Sequence, residues 1–194
     1  MELKENDTDL QIRYLIHSPF FGDQKTSLQA AWASMERIKA SGKAKSIGVS
    51  NFLQPHLEII FETATIPPAI NQIEYNPYLQ HRDLISFHKK HNIAVSAYAA
   101  LNPVTRAKDG PLNGYLSELA EKYGVSESEI LIQWVVGQGV VAITTSGKEE
   151  RLTNYLKALE FSLTEEETKK IAEIGDTYHF RCCFTRVYAP DDRS

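Results

Sequence analysis

The sequence predicts an α/β fold of the parallel (β/α)8 TIM-barrel type, incomplete, with about five of its eight strand-helix units present. Three observations predict it. Short apolar runs alternate with stretches of helical period along the 194 residues. Polar side chains (His17, Ser50, Asn51, Gln72, Tyr98 and the Thr144, Thr145, Ser146 run) stand at the carboxyl ends of those apolar runs, where a barrel carries its chemistry. No G-x-G-x-x-G follows the first run, as a doubly wound dinucleotide fold would require. Such a barrel has eight strands and typically about 250 residues, so the expected units fall short of a closed sheet.

Residues 11–16 read as the first strand, because Ile12, Leu15 and Ile16 form an apolar run that ends at His17. Thr26 is placed to cap a helix in which Leu28, Ala31, Trp32, Met35 and Ile38 recur at helical spacing, and Gly42 closes it. Residues 44–49 form the next strand, and Pro55 opens a helix over 55–62 with Leu57, Ile60 and Phe61 inward. After the break at Pro67 and Pro68, residues 69–73 make a third strand, tipped by Gln72 and Glu74, and 82–91 a helix. The fourth strand is 93–97, with Tyr98 at its tip; the Gly, Pro and Asn of 102–114 predict a loop.

Helices follow over 114–123 and 126–136, the second opened by the capping-box pattern of Ser126 and Glu129. A fifth strand is expected at 140–143 and helices at 148–156 and 164–174. Thr164 caps the last helix, and Glu165, Glu166 and Glu167 in its first turn suit the helix dipole. Beyond Gly175 the periodicity stops, leaving a tail with Phe180, Phe184, Tyr188 and Pro190. The domain expectation is therefore a partial barrel over 1–176 and a tail over 177–194.

With 42% hydrophobic and 24% charged residues, the chain can build a sizeable core. A formal net charge of -4 and the lack of a dense Lys/Arg block argue against nucleic acid as a partner. No apolar run approaches membrane-spanning length, and the opening MELKENDTD lacks the apolar stretch of a secretory signal, so a soluble cytoplasmic chain is expected. Cys182 and Cys183, the only cysteines, are adjacent and make a poor staple, which fits a reducing compartment. His81, His88 and His91 lack acidic or Cys companions in register and read as helix-surface residues, so no metal is expected.

Four stretches carry a resemblance: LIHSP at 15–19, GKAKSIGVSNF at 42–52, NQIEYNPYLQ at 71–80 and AVSAYAALN at 94–102. With TTSGKEERL at 144–152 and HFR at 179–181, their order and spacing resemble the aldo-keto reductases over nearly everything from Asp9 to Arg181. The likeness begins at that family's fourth strand, which implies an N-terminally truncated chain.

The resemblance implies an NADPH-dependent oxidoreductase that transfers hydride to an aldehyde or ketone, a small carbonyl substrate. His17 matches the one member of the catalytic set within the chain, an imidazole that hydrogen-bonds the substrate oxygen. The Tyr that protonates the alkoxide, and its Lys and Asp partners, belong to the units without counterpart, so activity is expected to be impaired. Tyr14 is no replacement, since in a strand it points away from the face His17 serves. By the same resemblance Ser50, Asn51 and Gln72 would bond the nicotinamide carboxamide and Tyr98 would stack on its ring. Leu101, Thr144, Ser146, Arg151 and Asn154 match positions along the phosphates and adenine, with Arg151 suited to the adenosine phosphate.

Departures from the pattern qualify these roles. Thr144 and Thr145 stand where many members have Pro-Lys, which narrows the margin by which NADP is preferred over NAD. Ser18 replaces a frequent Trp and Ala99 a common Ser, which implies a wider pocket. The tail, with Cys182, Cys183 and Phe184, is expected to fold over the strand tips and set selectivity. Two readings stay open: a carbonyl reductase, and a noncatalytic nucleotide-binding or partner-binding relative. The exposed sheet edges led by Gln11 and Val140 add self-association as an expected property.

Overall fold

The computed structural model describes residues 13–194. Five strands form one sheet in the order in which they occur along the chain: β1 (Arg13–Ile16), β2 (Ser46–Ser50), β3 (Ile70–Glu74), β4 (Ala94–Tyr98) and β5 (Val141–Ala142). β1 pairs parallel with β2, Leu15 opposite Gly48, and β4 pairs parallel with β5, Ser96 opposite Val141. The helices between them are α1 (Gln24–Ala40), α2 (Gln54–Phe61), α3 (Leu84–Lys90), α4 (Asn102–Thr105), α5 (Asn113–Tyr123), α6 (Glu127–Val136), α7 (Glu149–Tyr155) and α8 (Glu165–Asp176). This is the parallel α/β pattern expected from the alternating periods. Gln11 and Ile12 of the expected first strand lie outside the described residues, and no described helix is long and apolar enough to cross a membrane.

The chain resolves into two compact units, one built from the described residues up to Asn71 together with Lys90–Ile93, the other from Gln72–Lys89 with Ala94–Ser194. In the first, Leu28, Trp32 and Met35 of α1, Ile47 and Val49 of β2, and Leu57 and Ile60 of α2 are buried. Full burial of each Leu or Ile side chain contributes roughly 1.5–3 kcal/mol. Trp32 reconciles its indole with that core by donating Nε1–H to the Ile66 carbonyl at 2.9 Å. Position 48 must be glycine for a steric reason: a Cβ there would stand 2.5 Å from the Ile70 carbonyl oxygen and 2.9 Å from a Leu15 methyl. Phe61 is half-buried rather than fully inward, its ring stacked on His91 at 5.1 Å.

In the second unit Leu116 and Leu119 of α5, Ile130, Leu131, Trp134 and Val135 of α6 and Ile171 of α8 form the core. The expected capping box of Ser126 with Glu129 opens α6, and the expected Thr164 cap opens α8, where Glu167 completes a capping box and its N donates to Thr164 Oγ1 at 3.2 Å. Glu167 also accepts from Lys122 Nζ at 2.6 Å and Tyr123 O–H at 2.6 Å. Burial pushes its carboxyl pKa up, but the bonds from Lys122, Tyr123 and Thr164 outweigh that and hold it at about 2, against an ordinary 4.5. A carboxylate depressed in the folded state contributes stability that is present above pH 4.5 and lost as pH falls toward 2. Glu167→Gln is therefore expected to flatten the acid limb of the stability-pH curve in that window, read from urea midpoints at successive pH values. An unchanged acid limb would contradict the assignment.

Three local expectations are corrected. α1 starts at Gln24 with Asp23 as its N-cap residue, because Asp23 is still extended (φ -71, ψ 116) while Ser27 N already bonds its carbonyl at 2.9 Å; Thr26 is inside the first turn. The expected loop at 102–114 contains α4, in which Pro103 sits at the helix start, where its fixed φ favours the turn. His81 and His88 are buried core residues, not surface ones, with one nitrogen of each ring on a carbonyl: His81 Nε2 lies 2.5 Å from Glu74 O and His88 Nδ1 2.6 Å from Leu84 O. Gly42 closes α1 as expected, with φ 76 and its N–H on the Lys39 carbonyl.

Candidate functional site

The first unit carries His17, Ser50 and Asn51. Ser50 ends β2 and Asn51 follows it at φ 61, a left-handed conformation that Asn tolerates better than most residues. Ser50 and Asn51 are buried, whereas His17 is exposed. The Asn51 amide ties the two strand tips together: Nδ2 donates to the His17 carbonyl at 2.9 Å and to Ser50 Oγ at 3.0 Å. Behind them the buried Asn71 side chain accepts from Phe52 N and donates to Phe52 O at 2.7 Å, fixing the Asn51-Phe52 turn. Nothing in the local pattern around Asn71 signals that amide exchange.

The second unit carries Gln72, Tyr98, Leu101, Thr144, Ser146, Arg151 and Asn154. Five of these, Tyr98, Leu101, Thr144, Ser146 and Arg151, line one cavity of about 640 Å³ together with Cys182 and Cys183. Arg151 and Asn154 line a second cavity of about 680 Å³, whose wall also includes Thr105 and Tyr155, as does that of the first. Gln72, half-buried in β3, lines neither. Arg151 is exposed in the first turn of α7, and Ser146 Oγ accepts Lys148 N at 3.1 Å just before that helix. Burial, with Cys183 and Glu74 close by, raises the Tyr98 phenol pKa.

One arrangement had no signal in the sequence. Glu74, at the end of β3 and only 2% exposed, receives three N–H groups: Cys182 N at 2.7 Å and Asn102 Nδ2 at 3.1 Å on Oε1, and Cys183 N at 3.0 Å on Oε2. The cysteines are free thiols with sulfurs 3.5 Å apart, and burial pushes the Cys182 thiol pKa well above its ordinary range. Further along the tail, Arg181 lies over the Tyr188 ring at 4.0 Å and donates to the Asp192 carbonyl at 3.2 Å.

The model of the Aldo/keto reductase family matches residues 2–176. The chain is 42% identical over 183 residues to an NADPH-dependent alpha-keto amide reductase of Saccharomyces cerevisiae, covering 90% of this chain and 59% of that protein. It is 36% identical over 182 residues to an NAD/NADP-dependent indole-3-acetaldehyde reductase of Schizosaccharomyces pombe, covering 92% and 64%. Among solved structures, an aldo-keto reductase from a Medee basin deep-sea metagenome library superposes with a TM-score of 0.80 at 32% identity, over 91% of this chain and 63% of that one. A Bombyx mori aldo-keto reductase in complex with NADP gives 0.75 at 30% identity, over 84% and 56%. The chain thus spans roughly 60% of the length of these relatives.

Proposed function

Because the chain belongs to the aldo/keto reductase family, we propose that it binds NADP(H) and serves the reduction of an aldehyde or ketone. The supporting observation is the cavity in the second unit, where the aromatic Tyr98, the hydroxyls of Thr144 and Ser146 and the cationic Arg151 line one space of about 640 Å³. That donor set fits a dinucleotide, which needs a flat surface for a ring and cationic and hydroxyl donors for phosphate. When bound, NADPH supplies the hydride that goes to the carbonyl carbon while the carbonyl oxygen takes up a proton.

The chain's own residues bind and orient. Tyr98 offers its ring face to the nicotinamide, and one covered face leaves the other for substrate. By the family resemblance, Ser50, Asn51 and Gln72 would each serve the carboxamide. Leu101, Thr144, Ser146 and Asn154 flank the phosphates and adenine. Arg151 takes the 2'-phosphate as a bidentate donor. His17 donates from its imidazole to the substrate oxygen. The proton-donating Tyr and its Lys and Asp partners, which the resemblance implies, match no position in these 194 residues, so slow turnover is expected of them when assayed alone.

The test is cofactor affinity. The parent chain is expected to bind NADPH more tightly than NADH. Arg151→Ala is expected to weaken NADPH roughly 10- to 100-fold, the equivalent of about 1.5–3 kcal/mol of charge-assisted hydrogen bonding, with little effect on NADH. Fluorescence titration of both cofactors against both proteins reads this directly, and equal affinities in the parent would overturn the preference.

A further inference from the structure

We propose that Glu74, Cys182 and Cys183 form a binding site for a thiophilic divalent cation, zinc(II) first among them. Both thiol sulfurs and a Glu74 carboxylate oxygen lie within 4.8 Å of one another, the only such trio of potential metal ligands among the described residues. The site lies wholly within the second unit and stands independently of the cofactor reading.

The sulfur spacing favours a metal over a bond between the sulfurs. Two thiolates at about 2.3 Å from a tetrahedral zinc lie about 3.8 Å apart, whereas a disulfide requires about 2.05 Å. At 3.5 Å the Cys182 and Cys183 sulfurs are close to the first value. Two sulfurs and one oxygen supply three ligands, leaving a fourth position for water, and sulfur selects zinc or cadmium over magnesium or calcium.

The surroundings fit a cation as well. Glu74 is a buried carboxylate, and among the described residues no Lys or Arg forms an ion pair with it. The orienting second shell is already built, since Cys182 N, Cys183 N and Asn102 Nδ2 hold both carboxylate oxygens in place. The cavity of about 640 Å³ lined by the two cysteines provides an entry path. As the two zinc-sulfur bonds form, each thiol proton leaves to solvent; no electrons are transferred and no oxidant is needed.

The experiment titrates the reduced 194-residue chain with zinc chloride by calorimetry and with cadmium chloride by the ultraviolet sulfur-to-cadmium band. Saturation at one ion per chain is expected. Cys182→Ser and Cys183→Ser are each expected to weaken binding about tenfold or more, with the cadmium band roughly halved, as loss of one coordination bond requires. Glu74→Gln keeps a carbonyl oxygen for the backbone N–H groups but lowers the donor charge, and a loss of about tenfold is expected with the band intact. That variant also covers the case of a chain that loses its fold, because a dithiol in an unfolded chain binds metal without regard to position 74. No saturable binding, an affinity indifferent to Glu74→Gln, or one ion shared between two chains would each overturn the proposal.

Discussion

Trp134→Ala is expected to lower the stability of the second unit by about 3–5 kcal/mol, the range for truncating a large aromatic side chain in a core. Trp134 is fully buried in α6, its ring stacked on Tyr75 at 5.4 Å with an interplanar angle of 17°, and its Nε1 donates to the Thr168 carbonyl of α8 at 3.1 Å. Truncation removes the ring contact, opens a cavity and takes a donor from the Thr168 carbonyl in one step. Its effects extend to Tyr75, whose hydroxyl donates to Gln138 Oε1 at 2.9 Å while Gln138 Nε2 donates to the Trp134 carbonyl at 2.7 Å. Trp134→Phe keeps most of the ring but loses the N–H, so its loss is expected to be smaller, about 1–3 kcal/mol. Urea unfolding followed by circular dichroism measures both. A shift below about 1 kcal/mol for Trp134→Ala would mean that the Trp134 ring does not organise this core.

The second large effect is on turnover. Assayed by itself, the 194-residue chain is expected to reduce aldehydes and ketones about 10²–10⁴-fold more slowly than a relative with a positioned proton donor, the typical contribution of a general acid. Tyr98 does not make up the difference, since burial holds its phenol as a weaker acid than usual. Tyr14 on β1 is half exposed, which also makes it unfit as a sheltered donor. NADPH oxidation by the purified chain, measured with several aldehydes and ketones beside the Saccharomyces cerevisiae alpha-keto amide reductase, makes the comparison. Matching rates would refute the reading of His17 as the one catalytic residue the chain carries. Tight NADPH binding without turnover would agree with that reading.

Much of the architecture was legible because it is carried by local patterns. Leu28, Trp32 and Met35 announced α1 by their spacing, Gly42 announced its end by the left-handed φ it adopts, and Thr164 with Glu167 announced the start of α8. The strand tips at Ser50 and Tyr98 followed from where the apolar runs stop. Patterns of this kind are silent about what a polar side chain meets across the fold. His88 looked like a surface residue because imidazole is polar, yet its position on α3 turns it inward, where the Leu84 carbonyl satisfies it. α4 escaped notice because Asn102 and Pro103 are turn formers in isolation, and a helix of four residues has no period to read. The Glu74 arrangement joins residues more than a hundred positions apart, which no local pattern encodes.

That arrangement bears on how this chain can evolve. The tail is fastened to the end of β3 through the main-chain N–H groups of residues 182 and 183, which any amino acid except proline supplies. Fastening of this sort is indifferent to side-chain identity: exchange of Cys182 or Cys183 changes what the cavity wall presents while Glu74 keeps its grip on the backbone. Mutational drift in the wall is thereby separated from loss of the anchor, and the constraint concentrates on one carboxylate, so position 74 is expected to tolerate less variation than the two it holds.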